Sequence, residues 1–288
     1  MKNLIIYLFL LTSFSFSQNK IPVRNINLFS PLNIKIFGDY LFCQKDYLRA
    51  IGEYQHYLTM ASNDTVEFKI ALAYSEMSDF SKAAEKFAAI RSNSPFYSDA
   101  EMELMKSLFQ AGDFFEFRKN FQNVIGKNST AFSKTISLYN FSFLLTNNPL
   151  PAEQEFLGAF PKEDLAKVKN FYEWKENPPE KSPVTAAILS AIIPGAGKFY
   201  THKYADGIWA FIASVGFAYL SYDNFHAKHY FRGWLFGGLA AGFYAGNVYG
   251  AAASAQIYNA KIHFDFVSDL KSFLDARNYF LPKFKFCK

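Results

Sequence analysis

Cysteine is scarce in this chain of 288 residues: Cys43 and Cys287 are the only two, and they stand at opposite ends. That separation excludes a metal site of clustered thiols and indicates no disulfide framework, so both read as inert. Neither sits at or just after the apolar N-terminus, so lipid attachment at a mature N-terminal cysteine has no acceptor. Catalytic signatures are missing as well. There is no nucleophile elbow, no His-Glu-x-x-His and no glycine-rich phosphate loop after a strand; Gly195-Ala196-Gly197 follows a helix-like apolar run instead. His226 and His229 lie three apart with Asp223 as the nearest helper, a half-site without a third ligand. The reading is a non-enzymatic chain with no metal and no cofactor.

Charge is absent from two long stretches, 207–222 and 233–258. A helix needs roughly 20 apolar residues to cross about 30 Å of hydrocarbon, so these stretches predict membrane spans near 205–222 and 233–256, the second long enough and the first marginal. In the second, glycine recurs every fourth position at Gly238, Gly242, Gly246 and Gly250, continued by Ser254; the first answers with Ala210, Ser214 and Ala218. Faces with so little side chain predict a closely packed hairpin or a homo-oligomer built on the glycine face. Asn247, the strong hydrogen-bonding group in that run, is expected to face a partner helix or a conduction path.

The N-terminus is apolar for a different reason. Residues 1–18 carry one lysine, an apolar run over 4–11 and a small polar stretch, the order of a secretory signal peptide. The net charge of +5 is modest, and an exported chain offers no role with nucleic acid. Six basic residues interleaved with phenylalanine over 261–288 form a tail suited to an anionic lipid surface or to a solvated terminal helix.

Between these ends lies internal repetition. Lys45-Asp46-Tyr47-x-x-Ala50, Ser78-Asp79-Phe80-x-x-Ala83 and Gly112-Asp113-Phe114-x-x-Phe117 recur 33 and 34 residues apart, with apolar positions at helical spacing on both sides. Each unit over 33–129 is then two antiparallel helices. The pattern resembles the tetratricopeptide repeat family. Gly38 and Ala71 match its small position, Ala50 and Ala83 its alanine, and Pro95 the proline that often ends a repeat. The third copy departs, with Met105 and Phe117 where small residues belong, so its helices are expected further apart. The resemblance implies a concave groove lined by first helices, with Lys35, Asp39, Phe68, Ser75, Glu76, Lys106 and Phe109 facing it, and an occupant that is a peptide or another protein's helix. Helices over 130–176 would cap the open end, and the proline-rich stretch 177–183 would be a stiff linker to the membrane domain, 184–260.

The segment from Ser190 to Gly207 is similar to the opening of a two-transmembrane-helix family of bacterial envelope proteins, in which an apolar stretch breaks at Pro-Gly-x-Gly, a Tyr follows, and a Gly starts the first span. Pro194, Gly195, Gly197, Tyr200 and Gly207 match. Residues 184–193 are too short to cross and read as interfacial, which leaves both ends of the hairpin outside. If they did span, the tail would lie in the cytoplasm.

The expectation is therefore an all-α chain, a short helix-turn-helix solenoid plus a C-terminal transmembrane helical hairpin, located at a bacterial inner membrane with its repeats in the periplasm. Its expected partners are another envelope protein or peptide, membrane lipids and a second copy of itself. It would act as a docking scaffold or, alternatively, as an oligomeric subunit of a channel or transporter.

Overall fold

The computed structural model describes residues 27, 29–124, 131–281, 284, 286 and 287. Residues 1–18, read as a signal peptide, lie outside them. Among the described residues every regular element is a helix.

Six helices pack in pairs: α1 (Pro31–Cys43) with α2 (Tyr47–Leu58), α3 (Asp64–Glu76) with α4 (Phe80–Ala88), and α5 (Tyr97–Ala111) with α6 (Phe114–Val124). The repeated tripeptide builds each reversal. Lys45, Ser78 and Gly112 adopt positive φ of 61°, 60° and 76°. The next residue's N–H then reaches back to close the first helix, from Asp46 to Leu41 O, Asp79 to Tyr74 O and Asp113 to Leu108 O, at 2.9, 2.9 and 3.0 Å. The same aspartates cap the second helices, accepting from the N–H of Arg49, Lys82 and Glu116. An aromatic residue opens the new helix each time. His202-Lys203-Tyr204 and Lys228-His229-Tyr230 repeat this geometry further along, with φ of 63° and 61° and back-bonds of 2.8 and 2.9 Å.

Small residues set the close contacts. A Cβ at Gly38 would meet the Tyr54 ring at 2.8 Å, and Ala50, Ala71 and Ala83 are fully buried. Met105 and Phe117 fill the corresponding space of the third pair and are equally buried.

Beyond the pairs come α7 (Ala131–Leu144), α8 (Glu153–Leu157) and α9 (Leu165–Glu176), then α10 (Pro183–Ile192), α11 (Ala196–Tyr200), α12 (Tyr204–His226) and α13 (Tyr230–Ala276). At 47 residues, α13 is about 70 Å long. Its first part pairs with α12, while Phe266, Leu270 and Leu274 near its end enter the core formed by α5 to α9. The stretch from 261 that reads as a tail thus continues a helix whose apolar stripe belongs to the capping core. The proline-rich linker is pinned to the same helix. Lys181 and Asn259 exchange two hydrogen bonds of 2.8 and 3.0 Å, and His263 meets Glu180 at 2.6 Å.

The expected spans require correction. Both stretches are helical, but among the described residues no helix is long and apolar enough to cross a membrane. Composition is the reason: glycine adds no apolar surface, Asp206 and Asp223 bound the uncharged part of α12 on both sides, Arg232 precedes that of α13, and Asn247 interrupts it.

Candidate protein-docking groove

The first helices of the pairs, α1, α3 and α5, each meet described residues of the chain's own C-terminus. Past α13, Asn278 takes φ of 55°, and Lys134 Nζ, donating to Asn278 O at 2.8 Å, satisfies a terminal carbonyl. The chain then turns back toward the repeats. Phe280 packs on Phe109 at 5.8 Å between ring centroids, and Lys106 Nζ donates to Leu281 O at 3.2 Å. Phe284 meets Phe68 and Phe96 at 5.0 and 6.0 Å, and Phe286 meets Phe42 at 6.4 Å. The rings of Phe284 and Phe286 are stacked on each other at 5.8 Å. Cys287 ends the path in a disulfide with Cys43 at the close of α1, with Cα atoms 5.4 Å apart. The two cysteines that read as inert are therefore a covalent clasp.

Beneath this C-terminal segment sits a charge cluster. Asp39 accepts from Lys35 Nζ at 2.8 Å, Lys69 Nζ at 2.7 Å and Tyr54 Oη at 2.8 Å. Lys69, itself buried, also lies 4.9 Å over the Phe286 ring, so the repeat core meets the strand through a cation–π contact. Burial works to raise the Asp39 carboxyl, but hydrogen bonds from Lys35, Lys69 and Tyr54 outweigh it and hold the group below its ordinary 3.8. Burial, with the Asp39 carboxylate beside it, pushes the Tyr54 hydroxyl up. The folded Asp39 pKa is depressed, so its stabilisation is present above the ordinary carboxylate range and is lost as pH falls through the folded value. Asp39→Asn is accordingly expected to cost on the order of 1–2 kcal/mol near neutrality. That is below the ~3–5 kcal/mol of a fully buried pair, because the Asp39 side chain keeps 29% exposure. Urea melts of both proteins between pH 3 and 7 check this: the gap should close on acidification, and a constant gap would count against the charge cluster.

Of the residues expected to face the groove, Phe68 and Phe109 are buried and touch the strand; Lys106 bonds its backbone; Lys35 and Asp39 support it through Lys69. Glu76 is exposed and accepts from Tyr47 Oη at 3.4 Å, and Ser75 is half-buried; among the described residues neither has a hydrogen bond to the C-terminal segment. Lys69, Phe42, Phe96 and the clasp escaped the sequence reading. An even cysteine count, with phenylalanines two apart before the second cysteine, was the available signal.

The second group of singled-out residues builds the join between α10 and the hairpin. Pro194 ends α10, and Gly195 at φ 92° reverses the chain; a Cβ there would lie 2.2 Å from Gly207 O. Gly197 lies against Ala186 and donates its N–H to Ser190 Oγ at 3.0 Å, Gly207 lies under the Phe199 ring, and Tyr200 Oη accepts from Ser182 N at 3.3 Å. The glycine row does something different from the expected close packing. Gly238, Gly242 and Gly246 have open space where a Cβ would be, and only Gly250 has a neighbour, the Lys198 side chain at 3.7 Å. The three open onto a cleft of about 630 Å³ lined also by Lys198, Asp206, Trp209, Phe243 and Asn247. Helix α12 instead contacts α13 through Phe225 on Gly233, Ser221 on Gly237, and Phe217 on Phe243. Asn247 Nδ2 donates to Ser190 O at 3.4 Å, while its buried Oδ1 has no partner.

Compared with family models, with curated proteins and with solved structures, the chain matches none.

Proposed function

We propose that the protein is an exported, non-enzymatic docking scaffold, a tetratricopeptide-like groove held at the bacterial inner membrane by its C-terminal helices. The observation that carries the docking role is the strand gripped by side chains from the first helices of three successive units. A groove that holds one aromatic strand has the shape and chemistry to hold another. Export is supported by the disulfide, since such bonds persist in oxidising compartments.

Lipid is the occupant proposed for the hairpin surface. Ile192, Trp209, Phe231, Trp234 and Tyr249 are each at least 70% exposed, spread along three neighbouring helices, a large amount of apolar surface for one hairpin to leave uncovered. Tryptophan and tyrosine among them suit the boundary between headgroup and hydrocarbon. The hairpin seats itself in the bilayer through this surface, with no need for either helix to cross alone. Flotation of the full chain with phosphatidylethanolamine/phosphatidylglycerol vesicles tests this. The wild type should rise with the lipid and resist a carbonate wash. Trp209→Glu/Trp234→Glu should reduce the bound fraction at least about tenfold, since one charge in hydrocarbon costs roughly 2.5–3.5 kcal/mol. Wild type remaining with the lipid-free fraction would overturn the membrane seat.

One observation favours a second reading, an oligomeric channel or transporter subunit: the open glycine cleft with the unpartnered Asn247 Oδ1 at its edge. Loss of transport with assembly intact in Asn247→Leu would support that reading; loss of assembly alone would leave the scaffold.

A further inference from the structure

We propose that the groove across α1, α3 and α5 is a receptor for a Phe-x-Phe strand, that the chain fills it with its own C-terminus, and that the Cys43–Cys287 bond is a latch excluding a partner's strand until a dithiol opens it. This rests on the docking reading above and adds the chemistry of the partner and the control of its access.

Three features of the site carry the inference. First, the contacts are those of a ligand in a groove: two aromatic side chains two apart sit among Phe42, Phe68 and Phe96, and a lysine holds a backbone carbonyl upstream of them. Aromatic anchors and a few fixed polar bonds are how a groove recognises an extended peptide. Second, Phe284, Phe286 and Cys287 are only half-buried and belong to no helix, so they are laid onto the core of α1 to α4 from outside its helix pairs. Third, the bond that retains it joins residues 244 apart and is reachable, because Cys43 is exposed and Cys287 half-exposed. Exposed disulfides are the ones open to thiol exchange.

The exchange balances without further reagents. A thiolate of the dithiol attacks one sulfur of the bond, giving a mixed disulfide and freeing the other cysteine as a thiolate that takes a proton. The second thiol of the reductant then displaces the remaining cysteine. The products are two cysteine thiols here and one cyclic disulfide on the reductant, with two electrons transferred. Once reduced, the strand stays tethered after Tyr279, which is 5% exposed in the capping core. Its local concentration is then about millimolar, and a partner strand can compete with it. While the bond is closed, the segment is held at both ends and a partner competes with it only at a much higher concentration.

The test uses a fluorescent peptide with the sequence of residues 279–288, serine replacing the cysteine, titrated into the full chain in lipid vesicles and followed by anisotropy. Three proteins are compared: oxidised wild type, wild type after dithiothreitol, and Phe284→Ser/Phe286→Ser/Cys287→Ser, which frees the groove permanently. Binding should be tightest to the triple variant, at least about tenfold weaker to oxidised wild type, and restored toward the variant on reduction. Equal binding to oxidised wild type and to the variant overturns the latch while the docking groove stands. No binding to the reduced wild type or to a variant with native helix content and a cooperative melt overturns both. Should the variant fail to fold, the reduced wild type decides alone: binding that appears only after dithiothreitol supports the proposal, and binding unchanged by it overturns the proposal.

Discussion

Gly197→Ala is expected to destabilise the C-terminal half by the upper end of, or beyond, the ~1–3 kcal/mol usual for overpacking. A Cβ at this position would stand 1.9 Å from the Ala186 carbonyl oxygen, 2.7 Å from its carbon and 2.8 Å from the Ala251 Cβ. Backbone atoms cannot swing aside as the end of a long side chain can, so α10 itself must retreat. The core it would leave is made of Ala186, Ala251 and Ala255, all fully buried, with Tyr200 against them. Small residues allow that close approach and have no spare volume to absorb an intrusion. Gly216→Ala is the matched control, since a Cβ there has nothing within 4 Å. It should be neutral or stabilising by ~0.5–1 kcal/mol, as expected of glycine to alanine inside a helix. Denaturant melts of both variants in the same vesicles distinguish the cases, and a wild-type midpoint for Gly197→Ala would refute the close packing of α11 against α10 and α13.

The second large effect comes from the clasp. Cys43→Ser/Cys287→Ser is expected to lower the stability of the repeat half by about 3–5 kcal/mol. The chain-entropy argument places a closure of 244 residues near the top of that range. The effective loop is shorter when the capping core stays folded, because α13 already returns the chain to α7 and α9 through Phe266, Leu270 and Leu274. Thermal melts with and without dithiothreitol provide the check. Wild type should lose stability on reduction and the double-serine protein should not respond. Two free thiols in the protein isolated without reductant, found by mass after alkylation, would remove the basis of this prediction.

The reversals were legible because a short local pattern sets each one. A residue in the left-handed region, an aspartate that caps and an aromatic residue that opens the next helix need only three adjacent positions. The same turn at His202 and Lys228 escaped notice because Lys203 and His229 stand where aspartate stands in the repeats, so the letters differ while the backbone agrees. The Pro-Gly-x-Gly motif was legible as a break. What its glycines touch was not, since Ala186, Gly207 and Ala251 approach them from other elements.

The glycine row misled for a related reason. Spacing of four places residues on one face of a helix, but it carries no information about whether a neighbour covers that face, and α12 packs beside it through Phe217 and Phe225. Apolar runs misled too, because absence of charge is a weaker condition than the apolar content a crossing helix requires.

By itself, the sequence determined the helical periodicity, the three repeat turns with their caps and the break at Pro194, all of which depend on residues within a few positions of each other. Tertiary structure alone decided that the C-terminus fills the groove, that Cys43 meets Cys287, and that the end of α13 belongs to the capping core. Those contacts join residues about ninety or more positions apart, and their formation depends on how whole helices stack, which no local spacing encodes.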